Sequence, residues 1–144
     1  LAYRLHPTAL EDLGLGDALR SECERVSKGN GLLVDQQIDA LPAGIAPAVT
    51  VCLFRVAQEA LRNIVRHSGA HSAHVSLAPK DGGLQLLVTD DGGGFEQRIG
   101  RSAGLGIASM RERVREVGGK FSIRSEPGAG TTVQAWVPLT AQNE

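Results

Sequence analysis

Apolar residues recur at spacings of three and four between positions 48 and 67, whereas shorter apolar and β-branched runs bounded by glycine and proline occupy much of the remaining chain. In the first segment Val49, Leu53, Val56, Ala57, Ala60, Leu61 and Ile64 fall on one face of a helix, with Pro47 well placed near its start. Upstream, Leu10, Leu13, Leu15, Ala18, Leu19, Cys23 and Val26 suit one or two helices over residues 7–27. The interruption Gly14-Leu15-Gly16 argues against a single straight one. Gly29-Asn30-Gly31 reads as a turn, residues 32–38 as a short strand, and Pro42 and Pro47 bracket a loop. Residues 72–78 and 84–89 read as strands joined by a hairpin turn at Asp81-Gly82-Gly83. Residues 96–103 are polar and glycine-flanked, the composition of a mobile loop. A helix over 107–117 ends at Gly118-Gly119, and strands 121–125 and 132–137 are joined by Pro127-Gly128-Ala129-Gly130. Helices covering one face of a mostly antiparallel mixed sheet make the expected fold class a two-layer α/β sandwich.

Composition narrows the partners more than the fold. At 144 residues, 42% hydrophobic and 22% charged, the chain is long enough for one domain with a real core. A formal net charge of −1 gives no electrostatic footprint for nucleic acid, and no polybasic run suggests a membrane surface. Cys23 and Cys52 lack metal-ligand spacing and make no disulfide framework, which points to a reducing, cytoplasmic setting. No apolar run approaches the roughly 20 residues that span a bilayer, and no signal peptide is present. The start, Leu1-Ala2-Tyr3-Arg4-Leu5, reads as the continuation of a longer chain whose own membrane anchoring it leaves open.

The richest chemistry lies in Val88-Thr89-Asp90-Asp91-Gly92-Gly93-Gly94-Phe95. An apolar strand delivers a carboxylate onto a turn without side chains, which suits a planar polar ligand; ordinary turn chemistry also uses acidic-glycine runs. Glu59, Asn63 and His67 are spaced by four and form one stripe on a helix, with Arg66 beside its lower end. A carboxylate, an amide oxygen and two nitrogen donors in one column can hold magnesium and the phosphates it carries, although the same residues also suit a solvated face. Gly104-Leu105-Gly106 opens a helix, where free N–H groups and the dipole favour phosphate; a tight entry turn is the plain alternative. Gly128-Ala129-Gly130-Thr131-Thr132 reads in isolation as a hairpin turn before a β-branched strand.

Taken in order, these four segments resemble the GHKL ATPases, which include histidine kinases, DNA gyrase B, Hsp90 chaperones and mismatch-repair ATPases. The stripe looks like the N box, Asp90-Asp91-Gly92-Gly93-Gly94 like the G1 box, Gly104-Leu105-Gly106 like the G2 box, and residues 128–132 like the last glycine segment. The resemblance runs over residues 32–139 and implies the Bergerat ATP-binding fold. Leu5-His6-Pro7-Thr8-Ala9-Leu10-Glu11-Asp12-Leu13-Gly14-Leu15 is similar to the junction that follows the dimerisation helices of sensor histidine kinases paired with NarL-type response regulators. Gln58-Glu59-Ala60-Leu61-Arg62-Asn63 and the run from Gly104 to Val114 resemble the same group.

The resemblance implies ATP and Mg2+ as ligands. Asp90 would accept the adenine amino hydrogen bond with Thr131 nearby, leaving Asp91 a bystander. Gly92 and Gly94 would admit base and ribose, and Asn63 would bind magnesium with Arg66 and His67 near the phosphates. Gly104, Leu105 and Gly106 would border the phosphates behind a lid at residues 96–103. Glu59 is either a magnesium or positioning residue, or the acid that activates water in gyrase-like relatives. Gly93 departs from the larger polar residue common in the subfamily, and the lid is short. None of His6, His67, His71 and His74 has the setting of a phosphoacceptor. The expectation is therefore a junction at residues 1–16 and a catalytic ATP-binding domain at 17–144. This domain would be monomeric alone and would act on the dimerisation domain of its own parent homodimer. An ATP-hydrolysing switch and a nucleotide-binding module without catalysis are the alternatives.

Overall fold

A computed structural model of the chain describes residues 14–93 and 106–141. Its helices among these are α1 (Leu15–Asn30), α2 (Pro47–Asn63), which continues into a π turn at Ile64–Ser68, and α3 (Ile107–Glu116). The strands β1 (Leu33–Ile38), β2 (Ser72–Lys80), β3 (Gly83–Asp90), β4 (Lys120–Ser125) and β5 (Thr131–Pro138) form one sheet in the order β1-β2-β3-β5-β4. β1 is parallel to β2, and the other pairs are antiparallel. Connection explains the difference: α2 is the crossover between β1 and β2, whereas β2 and β3 are joined by a tight hairpin.

Alternation along the strands decides which face carries the helices. Val75 and Leu77 of β2, Leu84, Leu86 and Val88 of β3, and Val133, Ala135 and Val137 of β5 are all buried. They form one core with Leu53, Val56, Ala57 and Leu61 of α2, Leu19 and Cys23 of α1, and Met110 and Val114 of α3. The residues between them in the strands, such as Ser76, Gln85 and Gln134, are only partly buried on the other face. The expected two-layer sandwich is the observed one.

Two glycine segments have specific structural tasks. Gly14 is the N-cap of α1 at φ +83°, and Gly16 lies in the first turn, where a Cβ would meet Arg20 and Ile38 at 3.4 Å. Gly14 thus caps α1, and Gly16 lets its first turn approach β1; residues 7–13, on which the reading of one or two helices also rests, lie outside the described residues. In the hairpin, Asp81 (φ +50°) and Gly82 (φ +76°) are both left-handed, as a type I′ turn requires. Gly83 belongs to β3 instead, pressed against the Val137 carbonyl and the Trp136 ring.

The outer edge of β1 is covered by α1. Ser27 Oγ donates to the Leu32 carbonyl at 2.9 Å and accepts from the Val34 N–H at 3.0 Å, and Arg20 reaches the Ile38 carbonyl at 3.5 Å. Such cover removes a free strand edge that would otherwise pair with another chain. No helix among the described residues is long and apolar enough to cross a membrane.

Candidate functional site

Sheet register assembles the first half of the site. Asp90 ends β3, with Ala73 of β2 opposite it on one side and Thr131 of β5 on the other; Thr131 in turn faces Ser125 of β4. Directly opposed residues share a face, and Ala73 and Ser125 are buried, so this row lies on the helix-covered side. Asp90 is half-buried there. Its Oδ1 accepts the Gly92 N–H at 2.7 Å, the local closure by which an aspartate shapes the turn that follows it. Burial pushes the Asp90 carboxyl above its ordinary value; the Gly92 N–H opposes this, and neighbouring Asp91 adds to it. Among the described residues Oδ2 receives no hydrogen bond.

The last glycine segment folds directly onto this turn. The Gly128 N–H donates to the Gly93 carbonyl at 2.5 Å. Gly130, at φ +78°, lies so close that a Cβ would overlap the Asp90 carbonyl oxygen. Thr131 Oγ1 is 2.6 Å from Ser125 Oγ, which fixes the threonine beside Asp90. Sequence reasoning missed Ser125; the available signal was a hydroxyl ending a strand next to a glycine turn. Asp91 also has a task that the sequence reading did not assign. Its carboxylate accepts from the His71 N–H (3.0 Å), the Ser72 N–H (3.1 Å) and the Ser72 hydroxyl (2.9 Å), which ties the start of β2 to the end of β3.

The second half sits on helix ends. Glu59 and Asn63 project from the last turns of α2, and the regular α period stops at Asn63. From Ile64 the π turn carries Arg66 and His67, both exposed, until Gly69 ends it at φ +66°. A single π turn at the end of a helix is a recurrent feature of functional sites. Here it means that His67 does not continue the four-residue column drawn by Glu59 and Asn63. Arg62 Nη1 lies 3.6 Å from Glu59 Oε1. Gly106 is the N-cap of α3 at φ +68°, and a Cβ on it would lie 2.7 Å from Glu59 Cδ and Oε2. Glycine at 106 therefore leaves room for the Glu59 carboxylate, which joins the α2 stripe to the glycine turn before α3. The first turn of α3 has neither an acidic residue nor a side-chain cap, so its N–H groups suit an anion. Glu59 and Asn63 offer hard oxygens of the kind magnesium takes, in the small number that suffices when phosphate and water complete its shell. Gly94, Gly104, Leu105, the lid at 96–103 and the junction at residues 1–13 lie outside the described residues.

The side chains of the two other described histidines, His71 and His74, make no hydrogen bond to either half among the described residues. His71 lies in a bend before β2. His74 Nδ1 is 3.0 Å from Asp35 Oδ2, across the parallel β1–β2 pair.

Residues 48–141 match the family described as "Histidine kinase-, DNA gyrase B-, and HSP90-like ATPase". The chain is 31% identical over 142 residues to the signal transduction histidine-protein kinase/phosphatase DegS of Brevibacillus brevis, covering 99% of the chain and 37% of the relative. It is 35% identical over 139 residues to the sensor histidine kinase LiaS of Bacillus subtilis, covering 96% and 38% respectively. The chain thus spans well under half the length of these curated relatives. In fold it resembles the blue-light activated histidine kinase EL346 of Erythrobacter litoralis, with a TM-score of 0.76 at 20% identity over 92% of this chain and 44% of that one.

Proposed function

Because the chain belongs to the histidine kinase-, DNA gyrase B- and HSP90-like ATPase family, we propose that it is the ATP-binding catalytic domain of a sensor histidine kinase. It hands the γ-phosphoryl group of Mg-ATP to a histidine on the dimerisation domain of its own parent homodimer, which then serves a NarL-type response regulator. The observation that carries the reading is the pairing of motifs in space: Gly128 and Gly130 on the Asp90–Gly93 turn, and Gly106 on Glu59. The likeness of full-chain relatives that are themselves sensor kinases supports the kinase over other members of the family.

Each half of the site has its own task. Asp90 accepts the adenine amino hydrogen through Oδ2, with Thr131 held beside it, while Gly92 and Gly94 let base and ribose approach the backbone. Asn63, with Glu59 beside it, is the magnesium ligand, and Arg66 and His67 face the phosphates. Gly104, Leu105 and Gly106 bring the backbone at the start of α3 to the phosphate chain. Magnesium, when bound, neutralises the phosphate oxygens during transfer; the protein's own contribution is positioning and fixed charge. The junction occupies residues 1–16 and the catalytic unit 17–144, with α1 beginning at Leu15. The domain is cytoplasmic and monomeric on its own.

Incubated with Mg-ATP alone, the chain should take up no label; supplied with the parent's dimerisation fragment, it should phosphorylate that fragment. Asn63→Ala should weaken nucleotide binding in magnesium and leave it nearly unchanged in chelator. Label on any of His6, His67, His71 or His74 would sink the assignment. Steady ATP hydrolysis lost on Glu59→Gln would make the chain a hydrolysing switch instead.

A further inference from the structure

Behind the adenine half of the candidate site stands a hydroxyl that no role proposed above uses. Ser125 ends β4 and is only 7% exposed. Its Oγ lies 2.6 Å from Thr131 Oγ1 and 3.4 Å from the Gly130 carbonyl oxygen. The first distance is at the short end of the range for one hydroxyl donating to another, and the second lies beyond that range. Either oxygen can be the donor in the short bond, so its direction is set by what else Thr131 must do.

A threonine hydroxyl has one proton, and the direction of this bond decides what Thr131 offers a ligand. If Thr131 donates to Ser125, it can only accept from the ligand. If Ser125 donates to Thr131, the threonine keeps its own proton for the ligand. Asp90, directly across the β3–β5 pair from Thr131, carries a carboxylate that only accepts when charged. An adenine whose amino group donates to Asp90 has its N1 next to that group, a ring nitrogen with a lone pair and no proton. The complement of this edge is one acceptor and one donor, so Thr131 has to donate, directly or through a water. Guanine offers the reverse, a carbonyl oxygen beside an N–H. We infer that Ser125 is a positioning residue for base recognition: its buried hydroxyl donates to Thr131 Oγ1 and makes Thr131 the donor that matches adenine N1 beside Asp90. Ser125 acts through Thr131 and not on the base itself. This role presupposes the ATP site proposed above and adds the reading of the adenine edge to it.

Titration of the chain with Mg-ATP and with its 1-deaza analogue, in which a C–H replaces N1, tests the role. The wild-type chain should prefer ATP roughly three- to tenfold, the net weight of one hydrogen bond. Ser125→Ala should bind the analogue as the wild type does and lose most of that preference. Thr131→Val should lose it too, and the two substitutions together should cost no more than Thr131→Val alone. Ser125→Thr, which retains the hydroxyl, should keep the preference. A folded Ser125→Ala protein with the wild-type preference overturns the assignment, as does a wild-type chain that binds both nucleotides equally. An equal loss for both nucleotides in Ser125→Ala overturns it as well, since that is what a serine merely packing the strand end would give; so do additive losses in the double variant. A wild-type chain that binds neither nucleotide removes the ATP reading itself, and the role of Ser125 with it.

Discussion

Replacing Gly130 by alanine should cost much more than the same replacement two residues earlier, at Gly128. Both glycines sit in the left-handed region, at φ +78° and +82°, so both variants incur the backbone cost of an L-residue there, about 1–2 kcal/mol. The loss of chain freedom in the unfolded state offsets roughly 0.4–1 kcal/mol of that in each case. Their surroundings differ completely: a Cβ at 128 meets nothing within 4 Å, whereas one at 130 overlaps the Asp90 carbonyl oxygen. That oxygen belongs to a strand end paired on both sides, with Ala73 and Thr131, so it cannot simply swing away. Relief of such overpacking typically costs about 1–3 kcal/mol. The totals are about 1 kcal/mol for Gly128→Ala and about 2–4 for Gly130→Ala, at roughly 4 °C of Tm per kcal/mol in a domain of this size. Relief also displaces Asp90, so ATP affinity should fall at least tenfold in Gly130→Ala and little in Gly128→Ala. Thermal unfolding and calorimetric titration with ATP check both quantities. Equal Tm shifts at the two positions, or a Gly130→Ala protein with normal ATP affinity, would refute the contact between this glycine and the Asp90 carbonyl as a support of the proposed adenine site.

The two adjacent aspartates should separate cleanly by pH. Burial raises the Asp90 pKa, so between the ordinary and the raised value the folded state holds more protons and stability falls as pH rises through that window. At neutral pH the charged form is thus a cost, and Asp90→Asn should keep or raise Tm while losing ATP binding; a variant with unchanged affinity removes the adenine role. Asp91 is shifted the other way, by the Ser72 N–H first and then the Ser72 hydroxyl, with the His71 N–H adding to them. Its contribution is complete above the ordinary carboxylate value and disappears as pH falls through the lowered one. Asp91→Ala should therefore lower Tm at neutral pH, approach wild type in acid and leave ATP affinity intact, as unfolding curves over a pH series would report.

Much of this structure is legible from periodicity because its layers are locally determined. The α2 stripe from Val49 to Ile64 faces the sheet as its spacing requires, and the alternating runs of β2, β3 and β5 bury one residue in two. What periodicity cannot supply is contact between segments far apart in the chain. Gly16 looks only like a weak helix position because propensity alone is blind to β1 lying against the first turn of α1. Asp91 looks idle because its partners, His71 and Ser72, are reached only once β2 pairs with β3. Ser125 escaped notice for the same reason: its hydroxyl matters through Thr131, across the β4–β5 ladder. The π turn at 64–68 is a different kind of miss, since nothing in Ile64-Val65-Arg66-His67-Ser68 departs from an α-helical pattern.

These contacts also give the two halves of the site different mechanical character. The Asp90 half rests on strand ends: Asp90 is hydrogen-bonded into the sheet on both flanks, Gly130 packs on its carbonyl, and Gly128 is bonded to Gly93. Such a frame holds a carboxylate in one place, which is what recognition of a flat base needs. The Glu59 half rests on two helix ends, a π turn and an N-cap, with one flexible side chain filling the space between them. With a glycine at 106, the Glu59 carboxylate, 3.6 Å from Arg62, occupies the space between the two helix ends.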